Sequence, residues 1–351
     1  MTKKFLQSGY TTGACAAAGV KAALILLTTD KVVDSVEIIA LDGTPLKIPV
    51  KSVEKISDGI RAEVIKFSGD DPDITNGVSV FTTVRRIFDD KIVFRAGLGV
   101  GTITKPGLQL PVGEPAINPA PRRLIKNVAA EFNIRGLEVE ISIPAGVELA
   151  KKTLNPVLGV EGGLSIIGTT GVLRPMSEEA FKNSLVPQID VAKAAGFSEL
   201  VFVPGKIGEN IAKKLGFQDG AIIQTSNFIG FMLEAAAERE ISKIILCGHL
   251  GKLVKVAAGV FHTHNRVADA RLETLAAYAA AEGLPASEVQ KILDANTTED
   301  AAQIISANHL ERVYKKIAAR ASLRAERYVF GKLKVETILV DFAGNILGSD
   351  C

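Results

Sequence analysis

Four segments of this 351-residue chain combine residue types and spacings that could do chemistry. The first is Ser8-Gly9-Tyr10-Thr11-Thr12-Gly13-Ala14-Cys15, just ahead of an alanine-rich run. Thr11 or Thr12 can cap a helix there, and Gly13 lets a ligand approach the backbone. First-turn N–H groups and the helix dipole would then face an anion. An ordinary capped helix explains the same residues, and Cys15, with no base near it in sequence, reads as a small buried residue. The second segment is the glycine- and proline-rich stretch 97–123, which contains Lys105 and runs through Val112-Gly113-Glu114-Pro115-Ala116-Ile117-Asn118-Pro119 to Arg122 and Arg123. Long irregular loops of this kind are usually functional. Arg122 and Arg123 fall in the first turn of the next helix, where cations oppose the macrodipole. A polycarboxylate would offset that cost through charge-assisted hydrogen bonds. Pairing with Glu114 or exposure to solvent explains the two arginines equally well.

The third segment, Leu164-Ser165-Ile166-Ile167-Gly168-Thr169-Thr170-Gly171, reads as a strand entering a Gly/Thr turn. In an open α/β sheet ligands bind beyond the carboxyl ends of the strands. That makes Gly168, Thr169, Thr170 and Gly171 the expected cofactor cradle, with Gly205, Asn227 and Gly248 in later strand-end loops as its neighbours. The acid that usually follows such a strand to bind ribose hydroxyls is replaced by Pro204-Gly205, which counts against NAD. The fourth segment, Phe261-His262-Thr263-His264-Asn265-Arg266, holds two of the four histidines. Spacing of i,i+2 does not place both on one helix face, so a helix-borne zinc pair is not expected. Histidines within a loop are more often structural than ligands, and this clustered pair stands out in a chain with four.

These residues need elements to hold them. Strand-like runs at 35–40, 46–50, 60–67, 78–84, 91–94, 98–104 and 137–143, with helices at 13–28 and 119–132, make residues 1–150 an α+β domain carrying the Gly/Pro loop. From 151 the pattern changes to alternation: strand 164–168, helix 178–195, strand 200–203, helix 207–215, strand 221–223, helix 227–240 and strand 243–247. Helical segments over 269–320 and a last strand at 335–341 follow. Short continuous apolar strands separated by helices imply a buried parallel sheet, so 151–351 is expected to be a Rossmann-like cofactor domain. The fold class is therefore α/β.

Composition narrows the partners. Lysine and arginine number 41 against 39 acidic residues, balanced in both halves, so no basic patch for nucleic acid or an anionic membrane is visible. Three widely spaced cysteines, without a CxxC pair, suggest neither a disulfide framework nor a thiolate metal site. The longest apolar run, 14–27, is short for a bilayer span and lacks a cleavage pattern. A cytoplasmic protein is expected, and a homo-oligomer is compatible with the sequence. No GxxxxGK[ST] motif supports phosphoryl transfer.

Together, Gly9-Tyr10-Thr11-Thr12-Gly13, the 101–123 loop, Gly168-Thr169-Thr170-Gly171 with Arg174-Pro175-Met176, and His262-Thr263-His264 through Arg271 resemble the cobalt-precorrin-5B C(1)-methyltransferases of anaerobic cobalamin biosynthesis. The resemblance implies methyl transfer from S-adenosyl-L-methionine to ring carbon 1 of cobalt-precorrin-5B, giving cobalt-precorrin-6A. Cobalt would enter only as part of this tetrapyrrole substrate, with no metal held by the protein. The substrate's acetate and propionate groups would call for cations, for which Lys105, Arg122, Arg123 and Arg174 are the candidates, beside Thr11, Thr12 and Gly13. Any proton loss from the methylated ring would need a weak base, which His249, His262 or His264 could supply as the candidate catalytic residues.

Overall fold

The computed structural model describes residues 6–134 and 136–351, which fall into two compact units, 1–178 and 179–351. The first unit starts with β1 (Gly9–Tyr10) and α1 (Thr12–Thr29). There follow β2 (Ser35–Ile39), β3 (Pro45–Pro49), β4 (Ser52–Ile56), β5 (Gly59–Ile65), β6 (Ser79–Arg86) and β7 (Ile92–Ala96). Two-residue strands β8 (Gly99–Val100) and β9 (Thr102–Ile103), helix α2 (Pro119–Ala130) and strand β10 (Leu137–Ser142) come next. Three more two-residue strands, β11 (Val160–Glu161), β12 (Gly163–Leu164) and β13 (Val172–Leu173), complete the unit.

Its main sheet has the order β4-β5-β6-β10-β7 and is antiparallel except where β10 runs parallel to β7. α1 lies on this sheet and against α2. By length and apolarity α1 could cross a membrane, yet 13 of its 18 residues are buried here. A helix apolar on all sides is a core helix. Its small residues admit close neighbours: a Cβ on Gly19 would sit 2.7 Å from Thr82 Oγ1. Cys15 is fully buried, and burial pushes its thiol up to about 12, which fits a packing residue rather than a nucleophile.

The second unit opens with α3 (Glu178–Leu185) and α4 (Pro187–Ala194); one helix was expected over 178–195, and Pro187 splits it. Then come β14 (Glu199–Val203), α5 (Lys206–Lys214), β15 (Ile222–Gln224), α6 (Ile229–Glu238), β16 (Lys243–His249) and α7 (Leu250–Ala257). Four helices follow, α8 (Arg271–Ala281), α9 (Ala286–Leu293), α10 (Thr298–Ala307) and α11 (Arg312–Tyr328), before β17 (Lys334–Val340) and β18 (Ile346–Ser349). The sheet order is β15-β14-β16-β17-β18, with the first four parallel and β18 antiparallel. Val201, Val203, Ile245 and Cys247 bury one face against Ile211 and Ala212 of α5. On the other face α11 packs on β17, where buried Ser322 and Thr337 share a 2.8 Å hydrogen bond.

The whole is a mixed α/β fold, with one expected boundary moved. The run 164–168 is not the first strand of the parallel sheet. Only Gly163–Leu164 is extended, parallel to Gly99–Val100, while β11 pairs with β9 and β13 with β1. These pairings tie the chain up to residue 173 into the first unit, so the division falls at 178 rather than 150.

Candidate functional site

Three of the four segments converge in the first unit. β1 and β13 run antiparallel with Gly9 opposite Leu173 and Tyr10 opposite Val172, which sets the start of α1 beside the Gly/Thr turn. Thr11 caps α1, its Oγ1 accepting the Ala14 N–H at 3.2 Å. The Gly13 N–H donates to Ile167 O at 3.0 Å, and Thr12 Oγ1 accepts the Ile167 N–H at 3.0 Å. Thr11 N–H donates to Gly171 O and Leu41 N–H to Thr170 O. A Cβ on Gly13 would meet Pro121 of α2 at 2.7 Å, and one on Gly168 would meet Thr11 Oγ1 at 2.2 Å.

Two expectations change here. The Gly13, Ala14 and Cys15 N–H groups at the start of α1 are spent on Ile167 and Thr11, so these three need no anion to satisfy them. The turn of Gly168, Thr169, Thr170 and Gly171 locks that helix start and is not a strand-end loop of the parallel sheet. Gly205, Asn227 and Gly248, expected as neighbours of this turn, belong to the second unit.

The four cations separate by environment. Arg122 donates to Glu114 at 2.9 Å, to Ile117 O at 2.7 Å and to Pro115 O at 3.1 Å, and its guanidinium lies over the Phe94 ring. It clamps the proline loop from inside. Arg123, on the next residue of α2, is exposed and has no partner among the described residues. Lys105 lays its stem over Gly159 and donates to Val157 O at 3.3 Å. Arg174 is three-quarters exposed, with Asp42 at 3.6 Å its one ion-pair partner among the described residues.

In the second unit the sheet order reverses between β14 and its neighbours β15 and β16, and in open α/β sheets ligands bind beyond the carboxyl ends at such a point. Gly205, after β14, is exposed, and a Cβ there would meet nothing within 4 Å. Gly248 differs, because a Cβ on it would meet Pro204 at 2.9 Å; its missing side chain is filled by protein. Thr225, past the end of β15, is fully buried, and its Oγ1 has no hydrogen-bond partner among the described residues. Asn227 accepts a hydrogen bond from Lys252 of α7, and its carbonyl accepts the Thr263 N–H at 2.9 Å. The loop between His262 and His264 is thus held at this edge. Fully buried Lys255 holds it from beneath, donating to Thr263 O, Asn265 Oδ1 and Ala268 O.

His249 caps α7 with Nδ1, which accepts the Gly251 N–H at 3.1 Å. Its Nε2 lies 2.7 Å from Glu299 Oε1, and the ring stacks on Phe342 with centroids 3.9 Å apart. Burial holds the imidazole below its usual range, against the pull of Glu299. With Nδ1 committed to the cap, His249 is built to position the helix rather than to accept a proton. His262 sits edge-on to Phe228 with centroids 5.0 Å apart, and exposed His264 accepts the Arg266 N–H on Nδ1.

The strand-end loops Thr225-Ser226-Asn227 and Cys247-Gly248-His249-Leu250-Gly251-Lys252 are legible in the sequence, so Thr225 and Lys252 fall in expected ligand loops, whereas Glu299 and Phe342 do not. Glu299 opens a helix announced by the Thr297–Asp300 capping box. No spacing marks Phe342, which meets His249 only because β16 and β17 are adjacent.

The family model described as CbiD matches residues 1–175, and that of the CbiD C-terminal domain matches 262–351. A protein of Moorella thermoacetica named cobalt-precorrin-5B C(1)-methyltransferase is 50% identical, over 98% of this chain and 95% of its own. Its namesake in Methanocaldococcus jannaschii is 47% identical, over 99% and 97%. The crystal structure of the cobalamin biosynthesis protein (cbiD) from Archaeoglobus fulgidus is 29% identical, covers 75% of this chain and 83% of its own, and has a TM-score of 0.42. At half identity over nearly the full length, this chain belongs to the CbiD family, whose curated relatives carry the name cobalt-precorrin-5B C(1)-methyltransferase.

Proposed function

We propose that this chain methylates C-1 of cobalt-precorrin-5B with S-adenosyl-L-methionine as donor, and that the donor binds at the carboxyl edge of the second unit's parallel sheet, used in the Rossmann-like manner. The names of the near-full-length relatives support the reaction. The observation that carries the donor's placement is Gly205: it is exposed at the strand-order reversal, with open space where a side chain would be.

The residues present fit such a donor. Thr225 offers an orphaned hydroxyl, Phe342 an exposed aromatic ring and Asn227 a polar group in a loop tied to Lys252. The ribose acid of dinucleotide sites has no counterpart, because Glu209, the nearest acid after β14, is engaged by Lys206 and Gln224. When bound, the donor supplies an electrophilic methyl on a sulfonium, which leaves as a neutral thioether. The positive charge passes to the ring, where loss of a ring proton would neutralise it. Among the three candidate histidines His264 suits that proton best, since its ring is exposed and its Nε2 carries no hydrogen bond among the described residues. Among the four candidate cations, exposed Arg123 and Arg174 suit the substrate's carboxylates.

Gly205→Val is the test of donor placement. Its backbone is extended and its Cβ would point into open space, so the variant should melt as the parent does and lose S-adenosylmethionine affinity by at least about tenfold in calorimetry. A folded variant with parental affinity moves the donor elsewhere. The reaction itself is tested by anaerobic incubation with both substrates and a mass-spectrometric search for one added methyl.

A further inference from the structure

We infer that a cation-rimmed groove on the first unit, between β1 and the β2–β3 hairpin, binds the corrinoid's carboxylates. The inference rests on the reading of the substrate as a polycarboxylated tetrapyrrole and adds residues that neither spacing nor resemblance picks out.

Two grooves of about 530 and 470 Å³ adjoin there and share Tyr10, Lys47 and Phe67. Each falls within the roughly 300–1,000 Å³ typical of small-molecule sites. Their floor is apolar. The Tyr10 and Phe67 rings lie 6.1 Å apart, Phe67 is exposed, and the prolines of β3 flank them. Exposed aromatic and proline surface suits the flat face of a macrocycle.

The rim carries the charge. Lys47, Lys51, Lys66 and Arg174 line the two grooves, and among the described residues no Asp or Glu does. In a chain with 41 cations and 39 acids, such a one-signed lining is selective rather than average. Lys66 is buried and committed to Ser68 and Asp73, so it is a support. Lys51 pairs with Glu63 at 2.9 Å. Lys47 is exposed without any partner among the described residues, and Arg174 has only its distant contact with Asp42. Two cations are thus free to take carboxylates around an apolar floor, which is the pattern a corrin with peripheral acids would meet.

The backbone holds the groove open. Tyr10 N–H donates to Phe67 O at 2.9 Å, and Tyr10 OH donates to Ile65 O at 3.1 Å. A Cβ on Gly9 would clash with Phe67 O at 2.4 Å, so glycine there is what allows the approach. The Gly9-Tyr10 pair of the first motif therefore serves the groove, while Thr11-Thr12-Gly13 serves the helix.

The test uses the full chain and two corrins: cobyrinic acid, whose peripheral acids are free, and cobinamide, in which they are amidated. The parent should bind cobyrinic acid at least about tenfold more tightly than cobinamide, with the difference shrinking as salt rises. Lys47→Gln with Arg174→Gln should remove about tenfold to a hundredfold of cobyrinic acid affinity while melting temperature and S-adenosylmethionine affinity stay parental. Lys47→Arg alone should retain binding. A double variant that binds cobyrinic acid as the parent does overturns the groove, as does a parent blind to the acid–amide difference. If in either case the parent still methylates cobalt-precorrin-5B, the proposed reaction survives and only the site falls. A parent that adds no methyl refutes the reaction whatever the corrins do.

Discussion

A ring nitrogen that accepts a helix cap cannot also accept a proton in catalysis, and His249 Nδ1 accepts the Gly251 N–H. The consequence should appear in stability. Burial holds the folded imidazole below its usual range, whereas an unfolded histidine titrates near 6.5. Below that pH the unfolded chain takes up a proton that the folded chain refuses, so stability is lost as pH falls through this window. His249→Asn keeps a capping oxygen and removes the titrating group. Its melting temperature should drop less than the parent's between about pH 7.5 and 5.5, and equal drops would separate His249 from the effect. In the first unit, the consecutive arginines of α2 divide in the same physical way. Arg122→Gln abandons Glu114 and two loop carbonyls and should cost about 1–3 kcal/mol. Arg123→Gln, on an exposed and unpaired side chain, should shift stability by no more than about 0.5 kcal/mol while weakening corrinoid binding. Denaturant melts of the two variants would expose the contrast, and matching losses would mean that both side chains are structural.

At the scale of elements, the start of α1 depends on a turn more than 150 residues away: Thr12 and Ile167 exchange hydrogen bonds at a separation of 155. Gly168 has φ of +135° and lies against Thr11, so Gly168→Val should cost roughly 1–3 kcal/mol in backbone strain, with overpacking adding to it. A lowered melting temperature is the expected result, and a parental one would show that the turn can relax. Any loss of donor affinity in this variant would follow from the damaged helix start. Sequence periodicity found α1 and α2 and most strands to within a residue or two. It merged 98–104 into one strand where the chain makes two, and it read 164–168 as a parallel-sheet strand. The cause is the same in both places. A run of a few apolar residues has no period long enough to reveal its partner, and here the partners lie about 60 residues away in the chain. The Gly/Thr motif was visible; which helix it served was not.

For the whole molecule, the expected boundary failed because the composition changes near residue 150 while the pairing does not. Strands β11, β12 and β13 still close onto β9, β8 and β1, so the first core includes Leu164 and Ile166. From residue 179 the chain builds a sheet whose strands pair only with one another. Its faces are filled from within the unit, by Ile211 and Ala212 on one side and by α11 on the other. A unit of this size with its own core can fold alone. Residues 179–351 produced separately should therefore show a cooperative melt. If the donor reading is right, they should also bind S-adenosylmethionine within about threefold of the full chain, because Gly205, Thr225, Asn227 and Phe342 all lie inside them. Starting the fragment at 151 instead leaves Val160, Leu164 and Ile166 without their partners and should produce aggregation. Calorimetry of the two fragments decides the matter. A 179–351 fragment that melts cooperatively yet ignores the donor would place donor binding outside the second unit alone, and a 151–351 fragment that behaves better would restore the boundary at 150.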